Sequence, residues 1–193
     1  MSEPITAVLL AAGQSSRMGA TNKLLLEVDG LPLVRLSAMR LLRAPISKLM
    51  VVTGFAAHQI QDCLQDLPLT TLHNRDWENG MGSSLAVAAQ ACPNGTKLCV
   101  CLADLPHLQR ATICQLCTIF VERGAQQPVQ PTYQGRPGHP VLLPASLLPA
   151  IRELEGDRGA RDLLAQENTL RVETKDPGIL MDWDKSEDIT AKI

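Results

Sequence analysis

Two kinds of hydrophobic pattern alternate along most of the chain. Short apolar runs predict buried strands at Ile5–Leu10, Lys48–Thr53, Leu69–Leu72 and Lys97–Leu102. Longer segments, in which apolar residues recur at helical spacing, predict helices at Leu33–Leu42, Ala56–Leu64, Leu85–Ala91 and Ala111–Arg123. Because strands that alternate with helices pair in parallel, we expect an α/β fold with three layers, α/β/α, around a mainly parallel sheet.

The pattern loosens after Gly124. Strands are predicted at Val129–Tyr133 and Val141–Leu143, on either side of a Gly/Pro-rich turn, and near Thr169–Glu173. Short helices are predicted at Leu147–Leu154 and Ala160–Ala165, and the polar segment from Asp184 favours one last short helix. No repeat, low-complexity segment or linker interrupts the pattern, so residues 1–193 are expected to form a single domain.

Composition narrows the classes of partner. The formal net charge is −2 and aromatic residues make up 3% of the chain, which argues against the basic face and the stacking platform that nucleic-acid binding needs. Small molecules are therefore the expected partners. No apolar segment approaches the length of a membrane span, and the first residues lack the basic region of a secretion signal, so a cytoplasmic location is expected.

The six cysteines fit a reducing compartment. Cys114 and Cys117 form a lone C-x-x-C inside a helical pattern, with no second pair to complete a zinc site. Cys99 and Cys101 alternate in an apolar strand and therefore share one face. Buried free thiols are the expectation.

Candidate chemistry begins where the first strand ends, in a loop of small residues followed by two cations, Arg17 and Lys23. Close backbone N–H groups and converging cations are what a polyphosphate needs. The candidate backbone is Leu10, Ala11, Ala12 and Gly13. Neither a P-loop nor the G-x-G-x-x-G fingerprint is present, and the alternative interpretation is an ordinary strand–loop junction.

A carboxylate is expected at the same edge of the sheet. Asp104 follows the strand Lys97–Leu102, and the carboxyl ends of parallel strands share an edge with Gly13. A triphosphate usually brings Mg²⁺, which binds through carboxylates, phosphate oxygens and water, so Asp104 is a candidate metal ligand. The alternative is an aspartate that merely initiates a turn.

Asp182 and Asp184 are further candidate ligands near the C-terminus. Alternate residues of an extended chain point the same way, so both carboxylates could reach one cation. Asp182 is the favoured ligand, whereas Asp184 has the alternative role of a helix N-cap.

Three further segments narrow the chemistry. Ser83 and Ser84 follow Gly80-Met81-Gly82 at a predicted helix start, which is a natural anion site, although a plain serine cap is the alternative. Prolines on both sides of Gly138-His139 restrict the backbone around His139, although a lone histidine is more often structural. A polar glycine turn at 156–161 opens another helix.

Together these motifs resemble a known family. L-A-A-G-x-S-x-R-M-G-x(3)-K, with a D-x-P at Asp104, is similar to the signature of nucleotidyltransferases with a GT-A/Rossmann-like fold. N-x-D-W-x-x-G-M-x-S-S-L, G-x-P-G-H-P and G-D-x-G-A-R resemble the molybdenum cofactor cytidylyltransferases, and the resemblance runs from Ala7 to about Asp188. Lys185 and Ser186 stand where those relatives carry Thr-Pro, which leaves open whether Asp182 or Asp184 binds metal.

The resemblance implies the transfer of CMP from CTP to the terminal phosphate of molybdenum-molybdopterin, with release of pyrophosphate. It also implies transient contact with a molybdoenzyme or its chaperone. Mg²⁺, with Mn²⁺ as an alternative, is the implied cofactor. The implied roles are phosphate binding by Arg17 and Lys23, metal binding by Asp104 with Asp182 or Asp184, and acceptor binding by Ser83, Ser84 and His139.

Two alternatives to cytidylyl transfer stay open. One is transfer of GMP to the same cofactor, or of a nucleotide to another phosphorylated metabolite. Ala12 is a small indication of cytosine, because the guanylyl-transferring relatives read L-A-G-G where this chain reads L-A-A-G. The other is a non-catalytic carrier or chaperone of the molybdenum cofactor.

Overall fold

The computed structural model describes residues 4–14, 22–156 and 159–183. The strands of the main sheet and of one small hairpin are β1 (Ile5–Ala11), β2 (Glu27–Val28), β3 (Leu31–Pro32), β4 (Lys48–Thr53), β5 (Thr70–His73), β6 (Lys97–Leu102), β7 (Val129–Tyr133), β8 (Arg136–Pro137), β9 (Val141–Leu143) and β10 (Leu170–Glu173). The α-helices are α1 (Leu33–Leu42), α2 (Ala57–Asp62), α3 (Met81–Gln90), α4 (Arg110–Glu122), α5 (Leu148–Arg152) and α6 (Gly159–Gln166).

Eight strands form one sheet in the order β10-β7-β9-β6-β1-β4-β5, with β8 paired to β7. β1 lies between β4 and β6 and is parallel to both, and β4 is parallel to β5. β9 runs antiparallel to β6 and β7. The predicted α/β fold with a mainly parallel sheet is confirmed. The hydrophobic pattern did not predict that β9 is antiparallel to its neighbours.

The central strand β1 separates two hydrophobic cores. All of its residues are buried, as expected of a strand covered on both faces. Ala7, Leu9 and Ala11 face one core, which includes buried residues of α1 and α4. Val8 and Leu10 face the other, which includes buried residues of α3 and α5. Helices therefore cover both faces of the sheet. The ends of the strands remain as the place where a ligand can bind.

Most predicted elements agree with the structure, and the differences have local causes. α3 begins at Met81 instead of Leu85, because Gly80 turns at φ 94° and the amide of Gly82 donates to the Gly156 carbonyl at 2.8 Å. The predicted helix Leu147–Leu154 divides into a 3-10 turn at Ala145–Leu147 and the short α5. The predicted helix after Asp184 lies outside the described residues.

The six cysteines are free thiols in this structure. Cys92, Cys99, Cys101 and Cys117 are buried, whereas Cys63 and Cys114 are half-buried, so the expectation of burial is correct for the first four only. Burial raises the pKa of the Cys101 thiol to about 12. None of the helices in the described part of the chain has both the length and the apolar character that crossing a membrane requires.

Candidate active site

A lysine and an aspartate meet at the carboxyl edge of the sheet. Asp104 follows β6, and the amide of Ala103 donates to the Leu10 carbonyl at 3.1 Å, which keeps the end of β6 in register with β1. Lys23 Nζ lies 2.6 Å from Asp104 Oδ2, with the side chains only 15% and 20% exposed. The residues for which the sequence predicts phosphate and metal binding are therefore in direct contact.

One oxygen of the Asp104 carboxylate has no hydrogen-bond partner among the described residues. This oxygen, Oδ1, is buried. A buried carboxylate oxygen is costly unless a donor or a cation binds it. Lys23 itself is fixed by a 3-10 turn at Lys23–Leu25, which the Asn22 side chain caps by accepting from the Leu24 amide at 3.0 Å.

A second carboxylate lies on the neighbouring segment. The amide of Trp183 donates to the Asp104 carbonyl at 3.1 Å, which brings Asp182, the residue before it, beside the end of β6. No group of three or more His, Cys, Asp or Glu side chains within residues 4–14, 22–156 and 159–183 is arranged to hold a metal. The Asp104 oxygen that lacks a partner among the described residues fits a divalent cation whose other ligands include substrate oxygens and water, and Asp182 stays a predicted second ligand.

The backbone proposed for nucleotide binding leaves β1 at this same edge. Leu10, Ala11 and Ala12 are buried, and Gly13 is exposed, with no atom of the described residues within 4 Å of the position that a Cβ would take. Arg17 and Asp184, which the sequence analysis also assigns to the site, lie outside the described residues.

One side of this site is formed by residues that follow β4, and these residues were not predicted from the sequence. The Phe55 amide donates to the Ala12 carbonyl at 3.0 Å, and the rings of Phe55 and Trp77 are 5.6 Å apart. A Cβ on Gly54 would meet Trp77 Cβ at 2.5 Å and the Ala12 oxygen at 2.8 Å. The available signal was the position of Gly54-Phe55 directly after a predicted parallel strand, because every such strand ends at this edge.

Ser83 and Ser84 lie at the start of α3, where the sequence places them, but their hydroxyls are engaged within the protein. Asn74 Nδ2 donates to Ser83 Oγ at 2.9 Å and to Ser84 Oγ at 3.0 Å. Ser83 Oγ in turn lies 2.8 Å from the Gly80 carbonyl and 3.1 Å from that of Asp76. These contacts join the end of β5 to α3 and favour a role in shaping the turn.

His139 is held against the end of β6 by its backbone and by its ring. Its amide donates to the Ile179 carbonyl at 3.1 Å, and the preceding Gly138 fits because a Cβ there would overlap Ile179. The ring is half-buried, and its Nδ1 is buried without a hydrogen-bond partner in the described part of the chain. Burial lowers the pKa of His139, against the opposing effects of a hydrogen bond to the Val100 carbonyl and the Asp104 charge.

A mainly parallel sheet that pairs a cation with a carboxylate beyond its strand ends defines an α/β protein suited to phosphorylated ligands. The chain belongs to the family of the MobA-like NTP transferase domain, which matches residues 7–172.

Relatives in this family carry different names. The chain is 32% identical to nicotine blue oxidoreductase of Paenarthrobacter nicotinovorans, over 84% of this chain and 82% of the relative. It is 28% identical to molybdenum cofactor cytidylyltransferase of Escherichia coli, over 97% and 95%. A molybdenum cofactor guanylyltransferase of Serratia proteamaculans is also 28% identical, over 85% and 79%.

Solved structures have the same fold. Rv0371c of Mycobacterium tuberculosis superposes with a TM-score of 0.84 at 24% identity, covering 98% of this chain and 96% of that one. The manganese complex of Rv0371c gives a TM-score of 0.78 at 21% identity, covering 99% of this chain and 100% of that one. The predicted nucleotidyltransferase fold is confirmed.

Proposed function

We propose that this nucleotidyltransferase moves CMP from CTP to the terminal phosphate of molybdenum-molybdopterin. The observation that carries the proposal is the 2.6 Å pair of Lys23 and Asp104 at the strand edge where Gly13 begins the candidate nucleotide loop. The L-A-A-G and G-x-P-G-H-P motifs and the cytidylyltransferase relative support this choice of substrates. Ala12 favours cytosine over guanine, since its methyl group narrows the space at the strand end.

In the proposed reaction some residues neutralise the charge of the phosphates and others position the nucleotide. An oxygen of the acceptor phosphate attacks the α-phosphorus of CTP, the bond between the α- and β-phosphates breaks, and pyrophosphate leaves. Because that oxygen is already anionic, no side chain has to act as a strong base. Lys23 and Arg17 neutralise the phosphates that leave, and the backbone at Ala12 and Gly13 positions the nucleotide.

Asp104 and Asp182 would hold a divalent cation, Mg²⁺ or Mn²⁺, with Asp184 as the alternative to Asp182. When bound, the cation supplies positive charge to the phosphates in the transition state. The unpartnered Oδ1 of Asp104 supports this assignment. Lys23, which pairs with Asp104 Oδ2, would contact the phosphates from the same side of the site.

The acceptor is assigned to the side of the site formed by His139 and the start of α3. His139 is assigned to this side by its G-x-P-G-H-P motif, and the hydrogen bond from its ring to the Val100 carbonyl fixes the orientation of the ring. Ser83 and Ser84 contribute through the turn that they hold with Asn74, since both hydroxyls accept from that side chain.

The relative at 32% identity bears the name of an oxidoreductase, so the reaction class rests on the family match and on the site's chemistry. A cation paired with a carboxylate that has an unpartnered oxygen serves phosphate transfer directly, whereas carriage of a cofactor needs no metal-binding carboxylate.

Transfer of label decides between an enzyme and a carrier. CTP or, in a parallel reaction, GTP labelled at the α-phosphate is incubated with the protein, Mg²⁺ and molybdenum-molybdopterin, and the mass of the separated product is measured. We expect the label in a product heavier than the acceptor by one CMP. Unlabelled acceptor that stays bound to the protein would support the carrier instead. Label transferred only from GTP would support the guanylyltransferase.

A further inference from the structure

The backbone carbonyls of four successive residues, Ala103 to Pro106, each accept a hydrogen bond from a group elsewhere in the chain. We call Ala103–Pro106 the Asp104 loop. Ser37 Oγ donates to the first carbonyl at 2.9 Å, and the Trp183 amide donates to the second at 3.1 Å. Arg40 Nη1 donates to the third at 3.1 Å, and Arg40 Nη2 donates to the fourth. The loop is therefore held along its whole length.

Arg40 provides two of these four contacts from inside the protein. It is a half-buried residue of α1, and burial lowers its pKa while the Asp29 and Asp176 carboxylates oppose that effect. Removing a guanidinium from water is costly, and hydrogen bonds to carbonyls offset part of that cost. Ser37, one turn earlier on α1, is buried and binds the same loop. One face of α1 therefore binds the backbone on both sides of Asp104.

The charged side chain on this loop is that of Asp104. Asp104 exposes neither oxygen freely: Oδ2 pairs with Lys23, and the buried Oδ1 has no partner among described residues. A carboxylate that is fixed before a cation arrives loses less conformational entropy on binding than one on a mobile loop. Groups that orient a metal ligand commonly change metal affinity by about 10–100-fold when they are removed.

We infer that Arg40, assisted by Ser37, is a positioning residue that fixes the Asp104 carboxylate for a divalent cation. The inference rests on the proposed function for the identity of the cation site. Arg40 touches neither nucleotide nor acceptor in this assignment, so it should control affinity for the cation while leaving nucleotide affinity at saturating cation unchanged.

Binding of Mn²⁺ alone, followed by electron paramagnetic resonance, tests the inference without turnover. Arg40→Ala should weaken Mn²⁺ binding about tenfold or more, and Arg40→Lys should recover part of the loss, because an ammonium can serve one carbonyl but lacks the planar fork. Arg43→Ala is the matched control: Arg43 is an exposed arginine at the end of the same helix and should stay within about twofold of the wild type.

Kinetics provide a second readout. In pyrophosphate release, the Mg²⁺ concentration for half-maximal rate should rise about tenfold in Arg40→Ala, while KM for CTP at saturating Mg²⁺ stays within about twofold of the wild type. A rise in both constants by the same factor would contradict a role confined to the cation and indicate a general loosening of the site.

The remaining outcomes also decide. Folded Arg40→Ala that binds Mn²⁺ like the wild type overturns the inference. Should Arg40→Ala fail to fold, Ser37→Ala, which removes one neutral hydrogen bond, takes its place: about threefold weaker Mn²⁺ binding supports the inference and unchanged binding overturns it. If the wild type binds Mn²⁺ but releases no pyrophosphate with any nucleotide, the proposed function fails, and the comparison of Mn²⁺ affinities still decides the role of Arg40.

Discussion

The Lys23 ammonium lies 2.6 Å from Asp104 Oδ2, so residues that are far apart in the sequence form one ion pair at the carboxyl edge of the sheet. Each side chain neutralises the other while the site holds no nucleotide. In the proposed function Lys23 contacts the phosphates and Asp104 would hold the cation, so both partners of the ion pair serve the same substrate. Because both side chains are largely buried, the contact leaves neither charge without a partner, which would be costly.

Asp104→Asn should lower turnover about a hundredfold, or roughly 3 kcal/mol, because the amide keeps the size of the side chain but loses the charge that binds the cation. The fold should persist, since Asp104 lies at the sheet edge and contributes little to either core. Pyrophosphate release across a Mg²⁺ titration and a thermal melt measure the two effects. A near-normal rate at limiting Mg²⁺ would contradict the assignment.

Lys23→Ala should raise KM for CTP about ten- to hundredfold, because a hydrogen bond to a charged group contributes about 1.5–3 kcal/mol. Acceptor binding measured without nucleotide should change little. Lys48→Ala is the control, since Lys48 is an exposed lysine at the opposite end of a parallel strand and lies away from the site. Equal losses for nucleotide and acceptor would show that Lys23 does not act on the triphosphate alone.

Gly54→Ala should lower stability, whereas Gly13→Ala should lower CTP affinity without lowering stability. At Gly54 the added methyl group meets Trp77 and the Ala12 oxygen, so the free energy of unfolding should fall by about 1–3 kcal/mol. At Gly13 the methyl group meets no atom of the described residues, so stability should hold while CTP affinity falls about tenfold, or ~1.4 kcal/mol.

Urea unfolding and isothermal titration with CTP separate the two effects. Unchanged CTP affinity in a stable Gly13→Ala variant would remove Gly13 from the nucleotide site.

The sequence predicted the frame of the molecule better than the walls of its site. The helix Leu33–Leu42 and the strands Lys48–Thr53 and Lys97–Leu102 have the bounds expected from their patterns, because burial on both faces of a sheet leaves a strong hydrophobic signal. The same topology explains why the sequence alone could assign Gly13 and Asp104 to one edge of the sheet.

Other features depend on contacts between distant segments that no local pattern encodes. β9 is an apolar run of three residues, and such a run has the same hydrophobic pattern in a parallel and in an antiparallel strand. Arg40 is a charged residue near the end of the helix Leu33–Leu42, and no local pattern predicts that its guanidinium donates to the carbonyls of the Asp104 loop. Ser83 and Ser84 were placed correctly at a helix start, whereas their hydroxyl partner, Asn74, follows a different strand.

His139→Gln should reduce the loss of stability in mild acid. Burial lowers the pKa of folded His139 below its ordinary value of 6.5, so below about pH 6.5 the unfolded chain binds the proton more readily than the folded one. His139 therefore makes the free energy of unfolding fall as the pH drops from about 6.5 toward the folded pKa. Urea unfolding at about pH 7.5 and about pH 5 should show a larger drop for the wild type than for His139→Gln. Equal drops would mean that the ring is protonated as easily inside the protein as outside.

Pyrophosphate release by the wild-type protein tests the central claim most directly. CTP, GTP and ATP are each supplied with Mg²⁺, in the presence and absence of molybdenum-molybdopterin. The account predicts pyrophosphate only when nucleotide, cation and acceptor are all present, with the highest kcat/KM for CTP. A higher kcat/KM for GTP would contradict the cytidylyl assignment and leave nucleotide transfer intact, and no pyrophosphate with any of the three nucleotides would contradict nucleotide transfer to this acceptor.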